Sequence, residues 1–364
     1  MTDQNESAGT RSRRAFLIGA ATVGAAAPLG LGASKVFATP KIAVPPIGDL
    51  PICKTAATDA AAATGPLKKI SFAWNAGAPC LVGVTVAKEK GFFARNGLDV
   101  DLINYSGSTD QLLETLATGK ADAAAGMALR WLKPMEQGFD VKIIASTHGG
   151  CLRLLAPTAS GIKELKDLKG KIIAVSDMNS PGKNFFSIRL KKAGLDPQTD
   201  VEFKQFPGPL LRVSVEKGEA HALADNDPIT FLFQKDGAFR EVSSNLDSEY
   251  ANRVCCIVGV RGSLIRDDKP TAAAIARSLV EAAEFAAHHP EEAAATYVPY
   301  APGKIELADL ITLAKYHTHH HHPAGADLKK ELAAYAEELK LISIFKPTTD
   351  PVKYAERIYV DVLS

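Results

Sequence analysis

From Leu67 onward, short apolar runs alternate with stretches whose apolar residues recur at helical spacing. KKISFAWN reads as a strand, and LVGVTVAKEKG as a helix closed by Gly91. LDVDLINYS alternates apolar and polar positions as a half-buried strand does. STDQLLETLATGK is a helix opened by a Ser/Thr/Asp cap and closed by Gly119. ADAAAGM and VKIIAST are two further short buried strands. After GIKELKDLKG the rhythm starts again, with KIIAVSD, DVEFKQFP and HALADNDP as strands and SPGKNFFSIRLKKAG and LLRVSVEKGEA as the helices between them. Such an order predicts an α/β fold with a parallel-rich sheet flanked by helices in each half.

Two half-units of similar size predict two lobes. The apolar run ANRVCCIVGVRGSLI is placed to carry the chain back to the first lobe. Four helical patterns come after it: KPTAAAIARSLVEAAEFAAHHP, IELADLITLAKY, ADLKKELAAYAEELKLI and DPVKYAERIYVDVL. The expected division is residues 67–155, completed by 256–364, as lobe 1 and residues 156–255 as lobe 2, with crossovers near Ala156 and Cys255.

The first 66 residues do not share this pattern. Arg13 and Arg14 precede Phe16, Leu17 and a weakly apolar Ala/Gly stretch, and the small residues Val36 and Ala38 precede a cleavage-like site. Residues 1–38 therefore resemble a twin-arginine signal peptide, which predicts a folded protein handed to the twin-arginine translocase for export to the periplasm. Residues 39–66, rich in Pro, Ala and Thr, predict a flexible linker. With 46% hydrophobic and 23% charged residues the whole chain has a globular composition, and a net charge of +1 leaves no basic excess to bind nucleic acid. No nucleotide-binding loop, G-x-S-x-G elbow or H-E-x-x-H motif is present.

Five cysteines (Cys53, Cys80, Cys151, Cys255 and Cys256) in an oxidising compartment leave at least one thiol unpaired within a single chain. The adjacent Cys255 and Cys256 read as two small buried hydrophobes, as thiol ligands or as a vicinal disulfide. KYHTHHHHPAG is the most unusual segment, with His317, His319, His320, His321 and His322 inside six positions. The preceding helix ends near His317 and Pro323 blocks its continuation, which predicts a solvated loop. Imidazoles in such a tract suit Zn or Cu, so a surface metal site is the competing reading, and participation in a ligand cleft a third.

The stretch AKEKGFFARNGLDVDLINYSGSTDQLLETLATGKADAAAG, succeeded in order by GIKELKDLKGKIIAV, KKAGLDPQTDVEF, VEKGEAHALADNDP and TTDPVKYAERIYVDVL, resembles the periplasmic substrate-binding proteins of the nitrate/sulfonate/taurine class. The resemblance runs from about Ile70 to the C-terminus. It implies a two-lobed venus-flytrap (type II) fold that closes on a small polar solute and delivers it to an ABC importer's permease, without catalysis. It also implies that the strand-end loops hold the ligand, as open α/β sheets bind ligands beyond the carboxyl ends of their strands. From those loops the candidate ligand-binding residues are Asn75, Cys80, Ser106, Ser108, Met127, His148, Asn179, Ser180 and Asp225, with Cys80 and His148 setting specificity. The loops hold no Arg and only Lys183 among lysines, so an anionic solute is expected no more than a cationic, neutral or metal-associated one. The alternative functions are a metal or metallophore binder using Cys and His, and an enzyme like the thiamine-pyrimidine synthases. That related family carries a cysteine-rich strand near the place of RVCCIVG, but a histidine near where this chain has Cys80.

Overall fold

The computed structural model describes residues 65–105, 109–303, 305–319 and 324–364. The expected signal peptide, Cys53, Ser106, Ser108 and His320 to His322 lie outside the described residues, as does all but the end of the expected 39–66 linker. Ten strands build two five-stranded sheets. The first sheet contains β1 (Lys68–Trp74), β2 (Leu98–Asn104), β3 (Ala123–Met127), β4 (Val141–His148) and β10 (Cys256–Arg261), ordered β2-β1-β3-β10-β4. The second contains β5 (Leu152–Pro157), β6 (Lys171–Val175), β7 (Val201–Gln205), β8 (Ala222–Asn226) and β9 (Phe239–Ser244), ordered β7-β6-β8-β5-β9. The expected α/β class and the parallel-rich sheets are both present.

The two sheets share one plan. In each, the strand that arrives from the other lobe is inserted antiparallel between the third and fifth strands of the order: β10 between β3 and β4, and β5 between β8 and β9. The paired strands β1/β2, β1/β3, β6/β7 and β6/β8 are parallel. This corrects the expected boundary. Ala156 lies inside β5 and belongs to the second sheet, and the first crossover is the short stretch Gly149 to Cys151 that separates β4 from β5. The polar stretch Ser146 to Gly150 marks the end of β4, but the sequence alone does not say that the strand after it joins the other sheet. Strand β9 and the helix Pro290–Tyr297 are also additions to the expected pattern.

The helices packed around the sheets include α1 (Val82–Glu89), α2 (Thr109–Ala117), α3 (Ala128–Glu136), α4 (Pro181–Lys192), α5 (Lys269–His288), α6 (Pro290–Tyr297), α7 (Leu307–Tyr316), α8 (Gly325–Leu341) and α9 (Pro351–Ile358). Helices α1, α5 and α6 pack on one another, and α7 lies on α6. α9 packs on α8 and against β4. α8 also touches α3 of the first lobe and α4 of the second. Its Glu338 accepts from Lys192 at 2.7 Å, Arg253 at 2.9 Å and the Tyr250 hydroxyl at 2.8 Å, which ties the C-terminal helices to the second lobe. None of the described helices is long and apolar enough to cross a membrane.

The crossovers pass very close to each other. Gly150 has φ +81°, and a Cβ built there would stand 2.7 Å from Leu246 of the returning chain. Only glycine meets both conditions without strain. Cys151 beside it also holds a positive φ of 124° without being glycine, a costly conformation kept by its surroundings. Gly150→Ala is therefore expected to lower stability by about 1–3 kcal/mol in urea unfolding. Adding Leu246→Ala should recover part of that loss, and strictly additive losses would show that the two residues do not meet.

Candidate functional site

The carboxyl ends of the parallel strands from both sheets face one cleft, and a cavity of about 120 Å³ opens there. First-lobe residues Asn75, Cys80, Tyr105, Met127, Arg130 and Trp131 line it with Ser176, Ser180 and Asn226 of the second lobe, and Cys256 from β10. Of the expected ligand-binding residues, Asn75, Cys80, Met127 and Ser180 reach this cavity. Asn75 comes directly after β1, and its Oδ1 accepts from the Gly77 backbone at 2.8 Å, holding the turn that leads to Cys80. Met127 ends β3 and is the last residue before α3. Ser180 caps α4, its hydroxyl accepting from the Lys183 backbone at 3.1 Å with Pro181 in the first helical position.

The other expected residues lie elsewhere. Asn179 is exposed and lines a neighbouring opening of about 490 Å³ with Arg130, Lys133, Asp177 and Asn184. Asp225 is buried behind the cavity, accepts from the Asn226 backbone at 2.8 Å, and has its carboxyl pushed up by burial. His148 is buried at the end of β4, beneath the cavity rather than on its wall.

Sequence reasoning missed a cation in the cleft. Arg130 is the third residue of α3, not part of a strand-end loop, and one turn of helix brings it back over the carboxyl end of β3. It donates to Asp177 of the second lobe at 2.5 Å, an ion pair that spans the cleft. The strand-end loops hold no Arg, as the sequence shows, but the helix that follows β3 brings one into the cleft. Trp131, next to Arg130, was also missed. It fits over the sheet because Gly126 and Gly259 sit on the adjacent strands β3 and β10, where added Cβ atoms would stand 2.4 Å and 2.5 Å from its ring.

Beneath the cavity lies a group no single segment announces. The register of β10 sets Cys256 opposite Met127 on one side and His148 on the other. Ligand atoms of Cys80, His148 and Cys256 lie within 4.8 Å of one another, all buried. Cys151 and Cys255, one from each crossover, bring their sulphurs to 3.4 Å. All four described cysteines are free thiols. Hydrogen bonding with Cys151, then Cys256, holds the thiols of Cys80 and Cys255 well below the usual cysteine range. Burial disfavours charge on His148, yet Cys80 outweighs it and the imidazole is pushed up to about 9.

The histidine tract corrects a second expectation. α7 ends at Tyr316 as predicted, but His317 and His319 are buried, not solvated. Thr318 and Gly149 exchange backbone hydrogen bonds at 2.6 and 3.1 Å, which docks the segment against the first crossover. The His317 ring stands 5.7 Å from that of His148, and the His319 ring 6.2 Å from it. His317 Nε2 reaches Asp227 Oδ2 at 3.1 Å. His319 Nε2 donates to the Ala314 carbonyl at 3.1 Å, and burial, then the neighbouring His148 and His317, hold it neutral.

Asp227 draws this segment in. Arg153 of β5 grips the carboxylate through Nε at 2.8 Å and Nη2 at 3.1 Å, and Thr230 and the Phe231 backbone donate to Oδ1. Arg153 also lies 3.8 Å from the Tyr316 ring centre.

Two α/β lobes, crossed twice and opening a polar cavity at the ends of their parallel strands, form the fold of the periplasmic binding proteins. A family model described as NMT1/THI5 like matches residues 78–293, and the chain belongs to that family. Among solved structures, the chain resembles the periplasmic aliphatic sulphonate-binding protein SsuA from Escherichia coli, at 16% identity and a TM-score of 0.66 over 81% of this chain and 92% of that one. It is similar to the periplasmic nitrate-binding protein NrtA from Synechocystis, at 15% identity and a TM-score of 0.66 over 82% and 87%. Among curated proteins it matches the nitrate import ATP-binding protein NrtC of Synechocystis sp., 24% identical over 220 residues. That match covers 56% of this chain and 32% of NrtC, so the chain spans about a third of the length of the relative it matches.

Asp227 sets an acid limit on stability. Burial pushes its carboxyl up, but His317 and Arg153 outweigh burial and hold it below the ordinary carboxylate range. A depressed folded value gives stability that is present above the unfolded value of about 4 and lost as pH falls through the folded one. Asp227→Asn, which leaves Arg153 buried without its counter-charge, should cost about 3–5 kcal/mol near neutral pH. It should also flatten acid unfolding below about pH 4. An unchanged acid limb would mean that other carboxylates set it.

Proposed function

We propose that this protein is the extracytoplasmic solute-binding component of an ABC importer, and that it captures a small polar anion between its lobes for delivery to a membrane permease. The observation that carries this reading is Arg130, placed in the cavity wall beside the N-terminus of α4 and the hydroxyls of Ser176 and Ser180. A guanidinium and a helix N-terminus both favour negative charge, and neither has a use in a pocket for cations. Asp177 now takes up part of Arg130, so an anion entering the cleft competes for the same fork and exchanges one ion pair for another. A cavity of about 120 Å³ suits a solute of few heavy atoms. The nitrate and sulphonate binders of the same fold are anion carriers by name, which supports the class but not the individual solute.

In this reading binding is the whole task, and the solute leaves chemically unchanged. Closure bends the two crossovers, with the Cys151 and Gly150 conformations absorbing the change. The Arg13–Arg14 signal and the small-residue cleavage pattern support delivery of the folded chain to the periplasm.

Calorimetry with nitrate and short alkanesulphonates tests the charge of the solute. Arg130→Gln should weaken a bound anion by about tenfold or more, the loss of one charge-assisted hydrogen-bond pair. Tighter binding of a cationic solute, strengthened by Arg130→Gln, would overturn the anion reading. Mass spectrometry of the solute after incubation checks the absence of turnover, and any conversion product would point to the synthase alternative.

A further inference from the structure

We propose that Cys80, His148 and Cys256 form a buried metal site beneath the cleft, which takes one Zn²⁺. Such a site does not depend on the identity of the solute. The three donors come from three separate elements: the turn after β1, the end of β4 and the start of β10. Their ligand atoms already lie within 4.8 Å of one another. Zinc–sulphur bonds of about 2.3 Å and zinc–nitrogen bonds of about 2.0 Å need only a small contraction of that triangle.

The histidine is oriented for a metal as well. His148 Nδ1 lies 3.3 Å from the Gly149 carbonyl oxygen, an atom that only accepts, so Nδ1 carries the proton. Nε2 is then the nitrogen left for a metal, buried and without a hydrogen-bond partner, and it gives up its own proton when the metal binds. A ring fixed by a backbone carbonyl on one nitrogen and open on the other has the orientation that metal-bound histidines adopt. Unsatisfied, that nitrogen costs the protein stability; bound to a metal, it does not.

Charge selects the ion. Two thiolates and a neutral imidazole carry two negative charges, which a divalent cation cancels in a buried site. Zn²⁺ also matches the donor softness and low coordination number of a Cys₂His set. Binding forms two Zn–S bonds and one Zn–N bond, and the two protons that the metal-free set carries beyond two thiolates and a neutral imidazole, one on Cys256 and one shared by Cys80 and His148, leave to solvent. Cys80 and Cys256 also line the cavity, so the fourth position faces the cleft.

The test uses the full chain, reduced and freed of metal with a chelator. It is titrated with Zn²⁺ against a chromophoric zinc chelator, and with Co²⁺ as a spectroscopic probe in the absence of air. The expected result is one equivalent of metal, with Co²⁺ showing thiolate charge-transfer and tetrahedral ligand-field bands. Cys80→Ser, Cys256→Ser and His148→Gln should each weaken Zn²⁺ by about 100-fold or more. Replacing His320, His321 and His322 with Ala should leave this affinity unchanged. Because core variants can misfold, the unsubstituted chain provides a second readout: one equivalent of Zn²⁺ should slow alkylation of Cys80 and Cys256. The proposal is overturned by the absence of binding at saturating Zn²⁺, by uptake of Cu⁺ in place of Zn²⁺, or by binding that survives Cys80→Ser and Cys256→Ser. A disulfide through Cys80 or Cys256 in the exported protein overturns it equally.

Discussion

A carboxylate with none of its surface in water must be neutralised where it stands, and Asp227 is in that position. Arg153 and His317 supply the compensation, and each comes from a part of the chain that also determines how the lobes are joined. Arg153 is the second residue of β5, the strand inserted into the second sheet directly after the first crossover. His317 comes directly after α7, which packs on first-lobe helices. One buried charge therefore pins the crossover, the second sheet and the C-terminal helices to each other. The Thr318–Gly149 bridge next to it then positions His148 within the group formed with Cys80 and Cys256.

The cleft has two chemistries stacked one above the other. Its wall is polar and carries a cation, Arg130, with hydroxyls from the second lobe. Its floor is soft, made of thiols and an imidazole that the two crossovers and β10 bring together. The wall spans both lobes, so its geometry changes when they move. Cys80, His148 and Cys256 all belong to the first lobe, so their mutual distances need not change on closure. A floor that stays fixed while the wall moves is a suitable reference surface for a ligand that must bind and leave.

The histidine tract shows how a local pattern is overridden. A proline after a helix and a run of imidazoles read as solvated loop, because nothing in the neighbouring residues offers them a buried partner. The partner lies 90 positions away at Asp227, and the desolvation of His317 is offset by that carboxylate. Arg130 escaped notice for a related reason. The strand-end loops were the natural place to look for ligand contacts, but a helix turn returns its third residue to the same rim.

What the sequence determined by itself is what short-range physics controls. Alternating apolar runs, helix caps such as Ser180 and stop signals such as Gly91 and Gly119 act within a few residues, so most strands and helices were legible, as was the two-lobed plan. Asn75, Cys80, Met127 and Ser180 were recognisable because strand ends in such a fold converge on one cleft. Tertiary structure alone decided the rest. The antiparallel insertion of β5 and β10, the register that sets Cys256 beside His148, the Arg130–Asp177 pair across the cleft and the burial of His317 all depend on partners far apart in the chain. Strand pairing is chosen by hydrogen-bond ladders and charge compensation summed over the whole core, and no local window of the sequence contains both members of those pairs.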